Sequence, residues 1–144
     1  MAKWANPSDE THDIISEVLQ SINLDNLIRT KIIVNDDQSQ LFQVKKETAE
    51  NLYAYGYDLK IIVNESIFDR LPDAYKILSA NEALAGTYWN YENDKLVVNA
   101  PDKVYKSFIE KHGWEPYERL IESIRSLYEE KKNEANAENV NTEE

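Results

Sequence analysis

Two histidines, His12 and His112, are the only imidazoles of the chain, and it contains no cysteine. The missing thiols remove disulfides, cysteine-type zinc fingers, iron–sulfur sites and thiol catalysis together. Serine-based acyl transfer needs its nucleophile on a strained, exposed turn, and no Gly-x-Ser-x-Gly occurs. With three glycines in all, a Gly-x-x-x-x-Gly-Lys phosphate cradle is excluded too. His12 falls in a polar first turn, and His112 ends a helix, where a partly positive imidazole suits the dipole. The aromatic side chains are more suggestive. Tyr88, Trp89 and Tyr91 crowd one short segment, and tyrosine and tryptophan on a surface are favoured anchors for a protein partner. Tyr53, Tyr55 and Tyr57 alternate as they would along one side of an extended segment.

The elements that position these groups follow from periodicity. Ser8 is an N-cap ahead of Asp9 and Glu10, and Ile14, Ile15, Val18, Leu19 and Ile22 predict a helix over 9–23. Leu27 to Val34 ends in a β-branched run, and the turn residues Asn35-Asp36-Asp37 let Leu41-Phe42-Gln43-Val44 pair back as a hairpin. Tyr57 to Asn64 is apolar enough to be the central strand of a small sheet. Pro72-Asp73 opens a helix over 73–85 that stops at Gly86, with an apolar stripe of Ala74, Ile77, Leu78 and Ala85 that also carries Asn81. Thr87–Tyr91 and Lys95–Val98 read as a hairpin around Glu92-Asn93-Asp94. A helix from Pro101 to Gly113 and an amphipathic one over 115–132 complete the order α-β-β-β-α-β-β-α-α. The fold class is therefore α+β, a small mixed β-sheet packed against helices.

The 144 residues form one domain over 1–132, followed by a disordered acidic tail over 133–144 that supplies −4 of the net charge of −11. Sixteen basic residues against 27 acidic ones argue against direct nucleic-acid binding. The longest aliphatic runs, Ile32-Ile33-Val34 and Ile61-Ile62-Val63, are too short to cross a bilayer, and the N-terminus has no secretory h-region, so a cytoplasmic protein is expected. The bias towards Asn, Ile, Lys and Tyr matches AT-rich coding.

From Gly56 to Trp114 the chain resembles a family of phage and prophage metallopeptidases, small zincin-like proteins. The resemblance rests on Gly56-Tyr57-Asp58 leading into Ile61-Ile62-Val63-Asn64-Glu65, and on the spaced Phe68-Asp69-Arg70-Leu71. The helix 73–85 and Phe108-Ile109-Glu110-Lys111-His112-Gly113-Trp114 complete it. It implies a zincin-like fold in which the helix after Leu71 carries His-Glu-x-x-His. There, two imidazoles one turn apart share a zinc ion, and the glutamate acts as general base on metal-bound water. In this chain the frame reads Asn81-Glu82-Ala83-Leu84-Ala85. Glu82 matches the base, whereas Asn81 and Ala85 replace the ligands and a further ligand position falls at Pro101-Asp102. An amide is a poor zinc ligand and a methyl group is none.

The expectation is a degenerate, non-catalytic member with vestigial positions Asn81, Glu82 and Ala85. It holds no metal or cofactor and binds and modulates a host protein through Tyr88, Trp89 and Tyr91. Asn81 and Ala85 are expected to be core filler and Glu82 a surface residue. Two alternatives stand beside it. One is a zinc peptidase with a site rebuilt from His112, Glu82 and Asp102. The other is an acidic DNA mimic that blocks a host nucleic-acid-binding or defence protein. Its carboxylates would be Asp9, Glu10, Asp13 and Glu17 on the first helix and Glu115, Glu118, Glu122, Glu129 and Glu130 on the last.

Overall fold

In the computed structural model, which describes residues 4–99 and 114–142, strands and helices mix around one four-stranded sheet. Strand β1 (Trp4–Ala5) leads to helix α1 (Asp9–Ser21) and then to strands β2 (Thr30–Asn35) and β3 (Phe42–Lys46). Helix α2 (Ala49–Tyr55), strand β4 (Leu59–Val63) and helices α3 (Glu65–Phe68) and α4 (Asp73–Leu84) follow. The hairpin strands β5 (Thr87–Asn90) and β6 (Lys95–Val98) precede the long helix α5 (Trp114–Thr142). The expected helix between Pro101 and Gly113 lies outside the described residues.

The sheet order is β1-β2-β4-β3, with β2 parallel to β4 and both edge strands antiparallel to their neighbours. This corrects the expected β2–β3 hairpin. β4 inserts between the two because Leu59, Ile61, Ile62 and Val63 are all buried, and a strand so apolar gains most from the centre of the sheet. The β5–β6 hairpin forms as expected, but as a separate two-stranded sheet.

One face of the sheet carries the core. Ile32, Leu59 and Ile61 pack with Ile15, Val18 and Leu19 of α1, Ala80 and Leu84 of α4, and Leu96 of β6. A second cluster joins Val34 and Val63 to Ile67, Phe68 and Leu71, and Tyr75, Ile124, Leu127 and Tyr128 pack against it. The opposite face presents Lys31, Ile33, Lys60, Ile62, Gln43 and Lys45, as period-2 alternation requires.

Helix ends follow local chemistry. Ser8 Oγ accepts from Thr11 N at 3.3 Å to cap α1. The expected extended run through Tyr53 and Tyr55 is instead α2, because Thr48 caps its start and Gly56, at φ +80, closes its end in a left-handed turn that glycine enters without strain. Tyr53 and Tyr55 are consequently exposed on a helix. The helix expected to end at residue 132 runs on as α5 to Thr142, through the segment read as a disordered tail. Arg70 pairs with Glu134 at 3.0 Å, fastening the first part of that extension.

Candidate functional site

A cleft of about 730 Å³ opens along the outer edge of β3. Ser39 to Lys45 form one wall throughout, and Glu82 and Ala83 of α4 lie at its base. Thr87, Val98 and Asn99 of the hairpin close one side, and Ile121, Ile124, Arg125 and Tyr128 of α5 close the other. The volume falls in the range of ligand-binding clefts, and the mixture of apolar walls with a few polar groups is typical of them. Among the described residues, no strand pairs with the outer edge of β3. An edge strand without a partner presents backbone donors and acceptors to whatever enters beside it.

Among the described residues that line the cleft, burial raises the pKa of Glu82 and of the Tyr128 hydroxyl. Burial pushes the Glu82 carboxyl above the ordinary glutamate value of 4.5, and among the described residues no cation offsets the shift. A carboxyl held neutral becomes a hydrogen-bond donor as well as an acceptor. Glu82 is therefore a half-buried cleft residue, not the idle surface residue that the sequence suggested.

The other vestigial positions also differ from expectation. The buried side of α4 consists of Lys76, Ser79, Ala80 and Leu84, whereas Ala74, Ile77 and Ala85 are exposed and Asn81 is half-buried. Asn81 Nδ2 donates back to the Ile77 carbonyl at 2.9 Å. The stripe Ala74–Ile77–Leu78–Asn81–Ala85 is thus the outer side of the helix, because α1 packs against the 76–80–84 row. At the two ligand positions of the zincin frame the helix offers a methyl group and an amide bound to its own backbone. These residues do not fit a zinc ion, since Glu82 is then the sole good donor of the frame. Among the described residues, no group of three or more His, Cys, Asp or Glu side chains is placed to hold a metal. His112 and Asp102 lie outside the described residues.

The aromatic trio of the hairpin divides, with Tyr88 and Trp89 on opposite sides of β5 and Tyr91 in the turn beyond it. Trp89, opposite Leu96, packs against the core, while Tyr88 is 46% and Tyr91 is 72% exposed. The pair therefore offers two surface tyrosines on the hairpin whose Thr87 and Val98 line the cleft. Of the acidic groups, Asp9, Glu10, Asp13 and Glu17 are exposed on α1, and Glu115, Glu118, Glu122, Glu129 and Glu130 on α5. Glu10 is also committed to Lys76, 2.9 Å away.

Sequence reasoning missed the β3 edge, Arg125 and Tyr128. The alternation Phe42-Gln43-Val44-Lys45 was a usable signal for a half-buried strand, but which neighbour it pairs with is a tertiary matter. Among the described residues, no helix is long and apolar enough to cross a membrane. Comparison with family models, curated proteins and solved structures found no match.

Proposed function

We propose that this chain is a non-catalytic domain on a metallopeptidase-like frame that acts by holding an extended segment of another protein in the β3 cleft. The observation that carries the reading is the outer edge of β3, with which no strand pairs among the described residues, on the wall of a cleft that Glu82 also lines. Phe42 to Lys45, the part of β3 that lines the cleft, would pair with about four residues of an added strand, roughly 13 Å at the rise of an extended chain. Main-chain hydrogen bonds to β3 supply affinity, and pockets for alternate side chains supply selectivity. Tyr88 and Tyr91 add anchoring area on the hairpin beside it.

The resemblance to zincin-like phage and prophage metallopeptidases supports this frame, because Glu82 occupies the base position and faces the cleft. The lost imidazoles at 81 and 85 support binding without hydrolysis. A host protein of the bacterial cytoplasm is the partner that this ancestry suggests.

The test combines metal content, peptide cleavage and partner capture on the purified protein. The reading expects substoichiometric zinc, no cleavage that Glu82→Gln changes, and capture of a protein that Ala83→Trp, filling the cleft, abolishes. Stoichiometric zinc with cleavage lost in Glu82→Gln overturns it in favour of a working hydrolase.

A further inference from the structure

On the side of the sheet opposite Ile32, Leu59 and Ile61, three lysines stand in one cross-strand row. Lys31 of β2 lies opposite Lys60 of β4, and Lys60 lies opposite Lys45 of β3. Like charges directly opposite on neighbouring strands disfavour a sheet, and this chain has only 16 basic residues to place. All three feel a local partner, Lys45 only through the more distant charge of Glu47. Lys60 Nζ pairs with Glu47 at 3.2 Å, and Lys31 Nζ sits 5.7 Å from the centre of the Tyr57 ring. Lys45, exposed and at the cleft end of the row, makes no ion pair among the described residues.

Resting on the cleft reading above, we infer that the segment held along β3 is acidic, with an aspartate or glutamate directly opposite Lys45. A strand added to the free edge extends the ladder to Lys31–Lys60–Lys45–X, and the side chain at X stands on the same face as the lysines. A carboxylate there relieves the row, whereas a lysine or arginine lengthens it. One residue away on either side, the added strand turns its side chains to the face of Phe42 and Val44, where apolar cleft-lining residues favour aliphatic groups. Arg125, on the opposite wall, adds a second positive charge to the cleft. The recognised chemistry is therefore an extended segment of alternating aliphatic and acidic residues.

Two acetylated, amidated peptides of alternating valine and charged residues test this, one with glutamate and the other with lysine at the polar positions. Their binding to the full chain is read by fluorescence anisotropy at low and high salt. The glutamate peptide is expected to bind about tenfold more tightly, with the difference shrinking as salt rises. Lys45→Glu, an exposed substitution, is expected to reverse the preference while the melting temperature holds. Equal affinity for the two peptides, or a preference that survives Lys45→Glu, overturns the inference and leaves the cleft reading standing. Binding of neither peptide overturns both.

Discussion

Asn64 Nδ2 lies 3.2 Å from the Tyr128 hydroxyl and joins the end of β4 to the middle of α5. The same amide nitrogen is 3.0 Å from the Gln38 carbonyl and 3.2 Å from that of Asp36, while Asn64 Oδ1 accepts from Ser66 Oγ at 2.7 Å and from Ile67 N. Its two protons serve three acceptors, and the Tyr128 hydroxyl donates onward to Gln38 O at 3.3 Å. Lys131 completes the tie by donating to Asp36 O and Ser66 Oγ. Since Tyr128 also lines the cleft, this knot fixes the α5 wall relative to β3.

Removing the amide leaves the buried Ile67 N–H without the Asn64 Oδ1 that accepts from it and takes one donor each from the Gln38 and Asp36 carbonyls, at a position only 1% exposed. Asn64→Ala is expected to cost about 2–3 kcal/mol, and Tyr128→Phe about 1 kcal/mol, in urea unfolding. Equal, small losses from the two substitutions would show that α5 is held by its apolar contacts alone.

The raised pKa of Glu82 fixes a sign for pH dependence. Stability tied to its neutral form is complete below the ordinary value of 4.5 and is lost as pH climbs through the raised value. Glu82→Gln keeps a neutral side chain throughout. Its melting temperature is expected to match the parent's below pH 4.5 and to exceed it at neutral and alkaline pH. Melting curves that differ by a constant amount at every pH contradict the burial of this carboxyl.

Lys76 is 6% exposed, yet its Nζ reaches the exposed Glu10 at 2.9 Å. The hydrogen bond that Lys76 donates to Glu10 is the main cause of its raised pKa. Its Nζ also lies 5.9 Å from the centre of the buried Phe68 ring, so the ammonium sits between that ring and the Glu10 carboxylate. Lys76→Met, which keeps the stem, is expected to change stability by less than about 1 kcal/mol, whereas Lys76→Ala costs about 2 kcal/mol through lost packing. Equal losses in chemical denaturation would assign the stabilisation to the charge.

Tyr88 and Tyr91 make a surface prediction. Alanine at either position is expected to alter stability by no more than about 0.5 kcal/mol and to weaken partner binding about tenfold or more. Trp89→Ala should instead destabilise by about 2 kcal/mol, since Trp89 packs on the core. Titration of the captured partner against each variant, beside its thermal melt, separates the two roles.

The sequence by itself determined the elements whose signals are local. Ser8 and the Ile15–Val18–Leu19 pattern specify α1, the run Leu59–Val63 specifies a strand central to the sheet, and the turn residues around Asn93 specify the hairpin. Side-chain spacing and capping are written in consecutive residues, so these elements are legible without a fold. Tertiary structure decided the rest. Periodicity on α4 left its direction open, and only packing of the 76–80–84 row against α1 turned Asn81 and Ala85 outward and Glu82 into the cleft. Likewise, pairing of β4 with both β2 and β3 made β3 an edge and brought Lys31, Lys60 and Lys45 into one row. Those relations join residues tens of positions apart. They depend on which surfaces bury the most apolar area together, a quantity no stretch of sequence holds alone.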